Sequence, residues 1–120
     1  MRKPVVLTVI LAVALAVAAV PTAQAASTPE PLKVSIGDNF FKPKKKTIAR
    51  KTKVTWTWKG EADHNVMLAD APDGITRSKY NSETQSEGTF SRRLKTAGKY
   101  TFVCTIHAGM EQTIKVSSSK

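Results

Sequence analysis

The sequence predicts an all-β protein: an antiparallel β-sandwich of about seven to eight short strands with Greek-key connections. Three observations favour this fold class. Apolar residues alternate with polar ones at period two between residues 32 and 116, turn signals separate the alternating runs, and no stretch has a strong amphipathic helical pattern. A chain of 120 residues is long enough for one domain and too short for two.

Four segments show the clearest strand pattern, each with one apolar face. They are Leu32–Ile36, Val54–Trp58, Tyr100–Cys104 and Thr113–Val116. Within them, Trp56 and Trp58 are expected to be packing residues.

Three further segments are weaker strand candidates: Thr47–Ala49, His64–Leu68 and Thr89–Leu94. Met67, in the second of these, is expected in the core. In the third, Arg92 falls between Phe90 and Leu94 on the inward face, which predicts a bulge or bend. The longest irregular segment, Ala69–Glu87, predicts a surface loop or a short helical turn.

The N-terminus has the layout of a secretory signal peptide. Arg2 and Lys3 precede an apolar run from Val5 to Val20, and Ala23-Gln24-Ala25 supplies a small-x-small cleavage site. The alternative is an uncleaved membrane anchor, but the run is shorter than the ~20 residues of a spanning helix. We therefore expect a signal peptide at 1–25, a flexible leader at 26–31 and one domain at 32–120, exported to the periplasm, cell surface or medium.

The chain is strongly basic. Its formal charge is +10, and removal of Arg2 and Lys3 with the signal leaves +8. Such a charge favours acidic protein partners or loose association with an anionic cell surface, while export argues against nucleic acid. Part of this charge is a basic run that consists of Lys42, Lys44, Lys45, Lys46, Arg50, Lys51 and Lys53. It is either a docking patch or a solvated strand edge guarded by lysines.

Cys104 is the only cysteine, so an intrachain disulfide is excluded. A single cysteine in an exported protein indicates an intermolecular bridge, a reactive thiol or a metal ligand. His107 and Met110 follow Cys104 within seven residues, and the one other histidine is His64. Two imidazoles, a thiolate and a weak axial thioether form the ligand set of a blue-copper site. A structural zinc site is less favoured because zinc seldom uses a thioether, and a cysteine nucleophile would need an orienting group and a cleft.

The stretch from Tyr100 to Met110 resembles the C-terminal copper loop of the plastocyanin/amicyanin group of cupredoxins. Supporting positions occur upstream in the order that the family shows: Phe41-x-Pro43, Ile48, Val54-x-Trp56, His64-Asn65-Val66 and Gly98-x-Tyr100. The resemblance spans about Val34 to Val116. The ligand-loop spacing, with two residues in each gap, is similar to that of amicyanin.

The resemblance implies a cupredoxin-like Greek-key sandwich with one copper ion. His64 and His107 would be the imidazole ligands, Cys104 the thiolate and Met110 the long axial ligand. Asn65 would tie the two ligand loops together by hydrogen bonds. His107 would also be the surface port for electrons.

One departure concerns Gln112, which stands where the family often has a glycine two residues after the methionine.

The function implied is one-electron transfer between larger redox proteins by a monomeric type 1 copper protein that cycles between Cu(I) and Cu(II). The alternative is a periplasmic or extracellular protein for copper delivery or sequestration. Catalysis is not expected, because four protein ligands leave no open position on the metal and a second copper site would need further histidines.

Overall fold

The computed structural model describes residues 28–118 and, upstream of them, Ala12. The predicted signal peptide at 1–25 otherwise lies outside the described residues, as do positions 26 and 27 of the leader. Eight strands follow: β1 (Leu32–Gly37), β2 (Phe40–Lys42), β3 (Lys45–Ile48), β4 (Thr52–Trp58), β5 (Met67–Asp70), β6 (Thr89–Leu94), β7 (Gly98–Val103) and β8 (Glu111–Val116). A 3-10 turn, Arg77–Tyr80, lies within the segment Ala69–Glu87, for which the sequence predicts a surface loop or a short helical turn.

The strands form two four-stranded sheets, in the orders β2-β1-β4-β6 and β3-β8-β7-β5. The all-β sandwich is confirmed, but the expectation of purely antiparallel pairing is wrong. β1 pairs in parallel with β4, and β3 pairs in parallel with β8. The β1–β4 pair can be parallel because the chain crosses to the second sheet with β3 before β4 returns beside β1. In the described part of the chain, no helix is long and apolar enough to cross a membrane.

The core lies between the sheets and is built from the inward-facing residues that the alternation predicts. Trp56, Tyr100 and Phe102 are fully buried, and the rings of Trp56 and Phe102 lie 4.8 Å apart between centroids. Trp58 is also buried, so the packing role expected of both tryptophans is confirmed. Aromatic side chains of this size contribute much of the apolar area that a small domain can remove from water.

The strand predicted at His64–Leu68 begins three residues later, at Met67. His64 instead forms an isolated antiparallel bridge with Gln85. Met67 is only partly buried, so its expected place in the core is wrong. His64, Val66 and Leu68 are all buried, so their alternation resembles that of a strand. His64, however, is buried in the candidate metal centre and not in a strand.

The bulge predicted at Arg92 is absent from β6, whose register with β4 is continuous from Thr89 to Leu94. The Arg92 guanidinium lies 4.2 Å from the centroid of the Phe90 ring, and its Nε donates to the carbonyl of Lys79. These contacts keep the cation at the edge of the core without disturbing the strand. The irregular pairing occurs in β5 instead, between Leu68 and Asp70.

Gln112 is buried in β8 and fully hydrogen-bonded across the sandwich. Its Oε1 accepts from the indole Nε1 of Trp56 at 2.9 Å, and its Nε2 donates to the carbonyl of Pro43 at 2.7 Å. The amide therefore satisfies one donor in the first sheet and one acceptor between β2 and β3. The departure from glycine at this position brings a polar link between the sheets.

We predict that Gln112→Leu lowers the free energy of unfolding of the metal-free protein by about 2 to 4 kcal/mol, because two buried polar groups lose their partners. Equilibrium denaturation in urea measures the effect. Gln85→Leu is the matched control, since that side chain is only partly buried, and its cost should stay within about 0.5 kcal/mol.

A double-mutant cycle separates the hydrogen bond from the change of shape. In a Trp56→Phe background the indole donor is gone, so Gln112→Leu should cost roughly 1 kcal/mol less than in the wild type. An equal cost in both backgrounds would show that the Trp56 hydrogen bond contributes nothing.

Candidate metal centre

Three of the four predicted ligands meet at one end of the sandwich. The ligand atoms of His64, Cys104 and His107 all lie within 4.8 Å of one another. The Sγ of Cys104 is 3.9 Å from Nδ1 of His64 and 3.5 Å from Nδ1 of His107. Both imidazoles thus turn the same ring nitrogen towards the sulfur, although His64 is forty residues away in the sequence.

These separations fit a metal ion held by all three atoms. Bond lengths of about 2.0 Å to nitrogen and 2.3 Å to sulfur are usual for a first-row ion such as zinc. In a trigonal plane they place each nitrogen about 3.7 Å from the sulfur, close to the two distances observed here. The donor set of two imidazoles and one thiolate is the trigonal set of blue copper.

The loop from Cys104 to Met110 is closed at its base by paired strands. Val103 at the end of β7 is opposite Glu111 at the start of β8, and the Cys104 amide donates to the Met110 carbonyl at 3.0 Å. Gly109 adopts a φ of +82°, a left-handed conformation that glycine takes without strain. Met110 is buried at the end of this loop, with 2% of its surface exposed.

His64 is fully buried and its backbone is held on both sides. It exchanges two backbone hydrogen bonds with Gln85, at 2.9 and 3.0 Å. Its carbonyl also accepts from the indole Nε1 of Trp58 at 2.9 Å. The second tryptophan of β4 therefore fixes the position of this histidine in addition to filling the core.

Asn65 joins the two loops that carry the histidines. Its Oδ1 accepts from the Thr105 amide at 2.9 Å, and its Nδ2 donates to Oγ1 of Thr105 at 2.8 Å and of Thr84 at 3.1 Å. The residue directly after His64 is thereby bonded to the residue directly after Cys104.

Sequence reasoning missed Asp38, which lies in the turn between β1 and β2. Its Oδ1 is 3.2 Å from Nε2 of His64, the ring nitrogen that faces away from Cys104. Hydrogen bonds from the backbone of Ala62, then from His64 and Glu61, hold the pKa of the Asp38 carboxyl below its usual value. In the sequence, Gly37-Asp38-Asn39 gave only a turn signal, and nothing there connected it with His64.

The two histidines differ in exposure. His64 is buried, whereas His107 is partly exposed and its neighbour Ile106 is half exposed. Phe40, in β2, is the other large exposed apolar residue among the described residues. Lys44 lines a small cleft at this end of the molecule together with Phe40 and Met110.

Comparison with known proteins identifies the family of the chain. The model of the copper-binding proteins of the plastocyanin/azurin family matches residues 30–117. Plastocyanin from the fern Dryopteris crassirhizoma is 34% identical over 101 residues, which cover 70% of this chain and 98% of the relative.

Solved structures show the same fold. Oxidised plastocyanin from Dryopteris crassirhizoma superposes with a TM-score of 0.61 at 29% identity, covering 71% of this chain and 99% of that one. A purple cupredoxin from Nitrosopumilus maritimus superposes with a TM-score of 0.62 at 23% identity, covering 72% of this chain and 99% of that one. The chain belongs to the plastocyanin/azurin family of copper-binding proteins, and copper is its cofactor.

Proposed function

We propose that this protein is an exported electron carrier that holds one copper ion through His64, Cys104, His107 and Met110 and cycles between Cu(I) and Cu(II). The observation that carries the proposal is the convergence of two imidazole Nδ1 atoms on the Cys104 sulfur. The copper supplies the one-electron redox chemistry, and the protein supplies the fixed ligand positions.

The proposed ligands are held in position by contacts within the protein. Cys104 and Met110 lie at the ends of two paired strands, and Asn65 bonds the His64 loop to the Cys104 loop. Ligands that move little between the two oxidation states keep the cost of reorganisation low, and fast electron transfer requires this. The same rigidity argues against the alternative of copper delivery, in which the ion must leave readily.

His107 is the proposed port for electrons. It is the more exposed of the two histidines. Its Nδ1 lies 3.5 Å from the Cys104 sulfur, which Nδ1 of the buried His64 also faces. The half-exposed side chain of Ile106 beside it provides an apolar contact that a partner can cover without desolvating a charge.

The basic run is divided by the fold. Lys44 lies in the cleft beside Met110, at the copper end. Lys53 lies near the opposite end of the sandwich, because it is the second residue of β4 (Thr52–Trp58), and the indole of Trp58 at the other end of that strand reaches His64. We propose that the Lys44 end meets acidic surfaces of redox partners and that Lys45 and Lys46, which lie on β3, protect that edge strand.

Addition of one equivalent of Cu(II) to residues 26–120 is expected to produce an intense blue thiolate-to-copper absorption band. Cys104→Ser should abolish the band, and Met110→Leu should shift it while leaving it intense. Visible absorption and electron paramagnetic resonance measure both. The faint absorption of ordinary tetragonal Cu(II) in the wild type would exclude a blue-copper site, and copper handling would then be the better hypothesis.

Asn65→Ala is expected to destabilise the metal-free protein by about 1 to 3 kcal/mol, because the Thr105 amide and hydroxyl lose their partner. It should also speed the removal of copper by a chelator, since the two ligand loops are no longer joined. Thr84→Ala is the control, as it removes only one of the three hydrogen bonds of Asn65. Equal effects of the two variants would contradict the role of Asn65 as the tie between the loops.

Lys44→Glu is expected to slow oxidation of the Cu(I) protein by ferricyanide roughly tenfold at low ionic strength, because it reverses a charge in the cleft beside Met110, at the copper end. Stopped-flow kinetics at increasing salt should show the difference fading as the charges are screened.

Lys53→Glu is the matched control, with the same change of net charge at the far end. A cationic oxidant should be accelerated by Lys44→Glu and not slowed. Equal slowing by the two variants would mean that overall charge, and not a local docking site, sets the rate.

A further inference from the structure

We infer that Asp38 is a positioning residue for the metal centre: its carboxylate fixes the tautomer of His64 so that Nδ1 is free to bind copper, and its charge favours Cu(II) over Cu(I). The inference rests on the proposed function for the ligand role of His64. It adds a negatively charged partner on the far side of the buried imidazole.

The geometry assigns opposite roles to the two ring nitrogens. Nε2 of His64 lies 3.2 Å from Oδ1 of Asp38, while Nδ1 lies 3.9 Å from the Cys104 sulfur. A neutral imidazole carries one N–H, and an ionised carboxylate can only accept a hydrogen bond. The proton therefore resides on Nε2, and the lone pair of Nδ1 faces the sulfur.

Asp38 is itself fixed in place, which a positioning role requires. The backbone amides of Ala62 and Glu61 donate to Oδ1 at 3.0 and 3.1 Å, so three N–H groups converge on one oxygen. Gly60 makes room for this approach, because a Cβ there would lie 2.3 Å from Oδ1. The carboxylate thus also anchors the turn that leads into His64.

The charge of Asp38 acts on copper through the imidazole. A carboxylate that accepts from the outer N–H raises the basicity of a ligating histidine. A more basic ligand and a nearby negative charge both stabilise the more highly charged ion. The Asp38 side chain is about half exposed, at 49%, so water screens part of its charge, whereas the imidazole that it faces is wholly buried.

Three substitutions separate the hydrogen bond from the charge. Asp38→Asn keeps an oxygen where three donors converge and removes the charge. Asp38→Ala removes both. Glu61→Gln is the matched control, because it removes the same charge from an exposed side chain on the turn that Asp38 anchors.

The first measurement is made on the metal-free protein. Long-range nitrogen–proton NMR at mildly alkaline pH reports which ring nitrogen of His64 carries the proton. We expect Nε2–H in the wild type, in Asp38→Asn and in Glu61→Gln, and a mixture of tautomers in Asp38→Ala. An Nδ1–H wild type overturns the inference.

The second measurement is made on the copper protein. Asp38→Asn should shift the balance from Cu(II) towards Cu(I) about tenfold, which for one electron is about 59 mV upward in reduction potential. Its Cu(II) affinity should fall roughly 10- to 100-fold. Glu61→Gln should change the reduction potential and the Cu(II) affinity far less. Equal changes in the two variants would overturn the inference that the charge of Asp38 favours Cu(II).

Gly60→Ala provides an independent check, since its methyl group would displace the Asp38 carboxylate without removing any charge. It should disturb the His64 tautomer in the metal-free protein as Asp38→Ala does, and an unchanged tautomer counts against the inference. A wild type that shows the Nε2–H tautomer but no blue band overturns the proposed function and the copper effect, while the Asp38–His64 pairing stands. The two failures are therefore distinguishable.

Discussion

The metal centre depends on one contact between distant parts of the chain: the hydrogen bonds between Asn65 and Thr105. They join residues forty positions apart and lie immediately beside His64 and Cys104, two of the proposed ligands. His64 is also held by its bridge to Gln85, by the Trp58 indole and by the Asp38 carboxylate, but none of these contacts reaches the loop that carries Cys104. Hydrogen bonds of a side-chain amide fix the direction as well as the distance between two groups. A metal site needs such precise placement of its ligands.

Polar side chains near the site hold other residues in position through hydrogen bonds. Trp58 holds the His64 backbone, Gln112 links Trp56 to Pro43, and Asp38 occupies the outer nitrogen of His64. Among the residues that the structure describes, every buried side-chain nitrogen and oxygen has a hydrogen-bond partner. A buried polar network that is fully satisfied specifies one arrangement, because any alternative leaves a donor or acceptor unpaired.

Much of the fold was accessible from periodicity because period-two alternation is a local property of a strand with one buried face. It located β1, β4, β7 and β8, which flank or carry the site. It failed where burial had another cause, as at His64, and where a cation packed against an aromatic ring, as at Arg92 over Phe90. β2 escaped prediction because three residues are too short to show a period.

The sequence alone determined which side chains the proposed site can use: a thiol, a thioether and an imidazole within seven residues, and a single further histidine. It also determined which face of most strands is buried, through the alternation of side chains. Only the tertiary structure decided that β1 and β4 run parallel, that Gln112 bridges the sheets, and that Asp38 faces His64. These contacts join residues far apart in the chain, and no local pattern encodes which loops will meet once the two sheets pack.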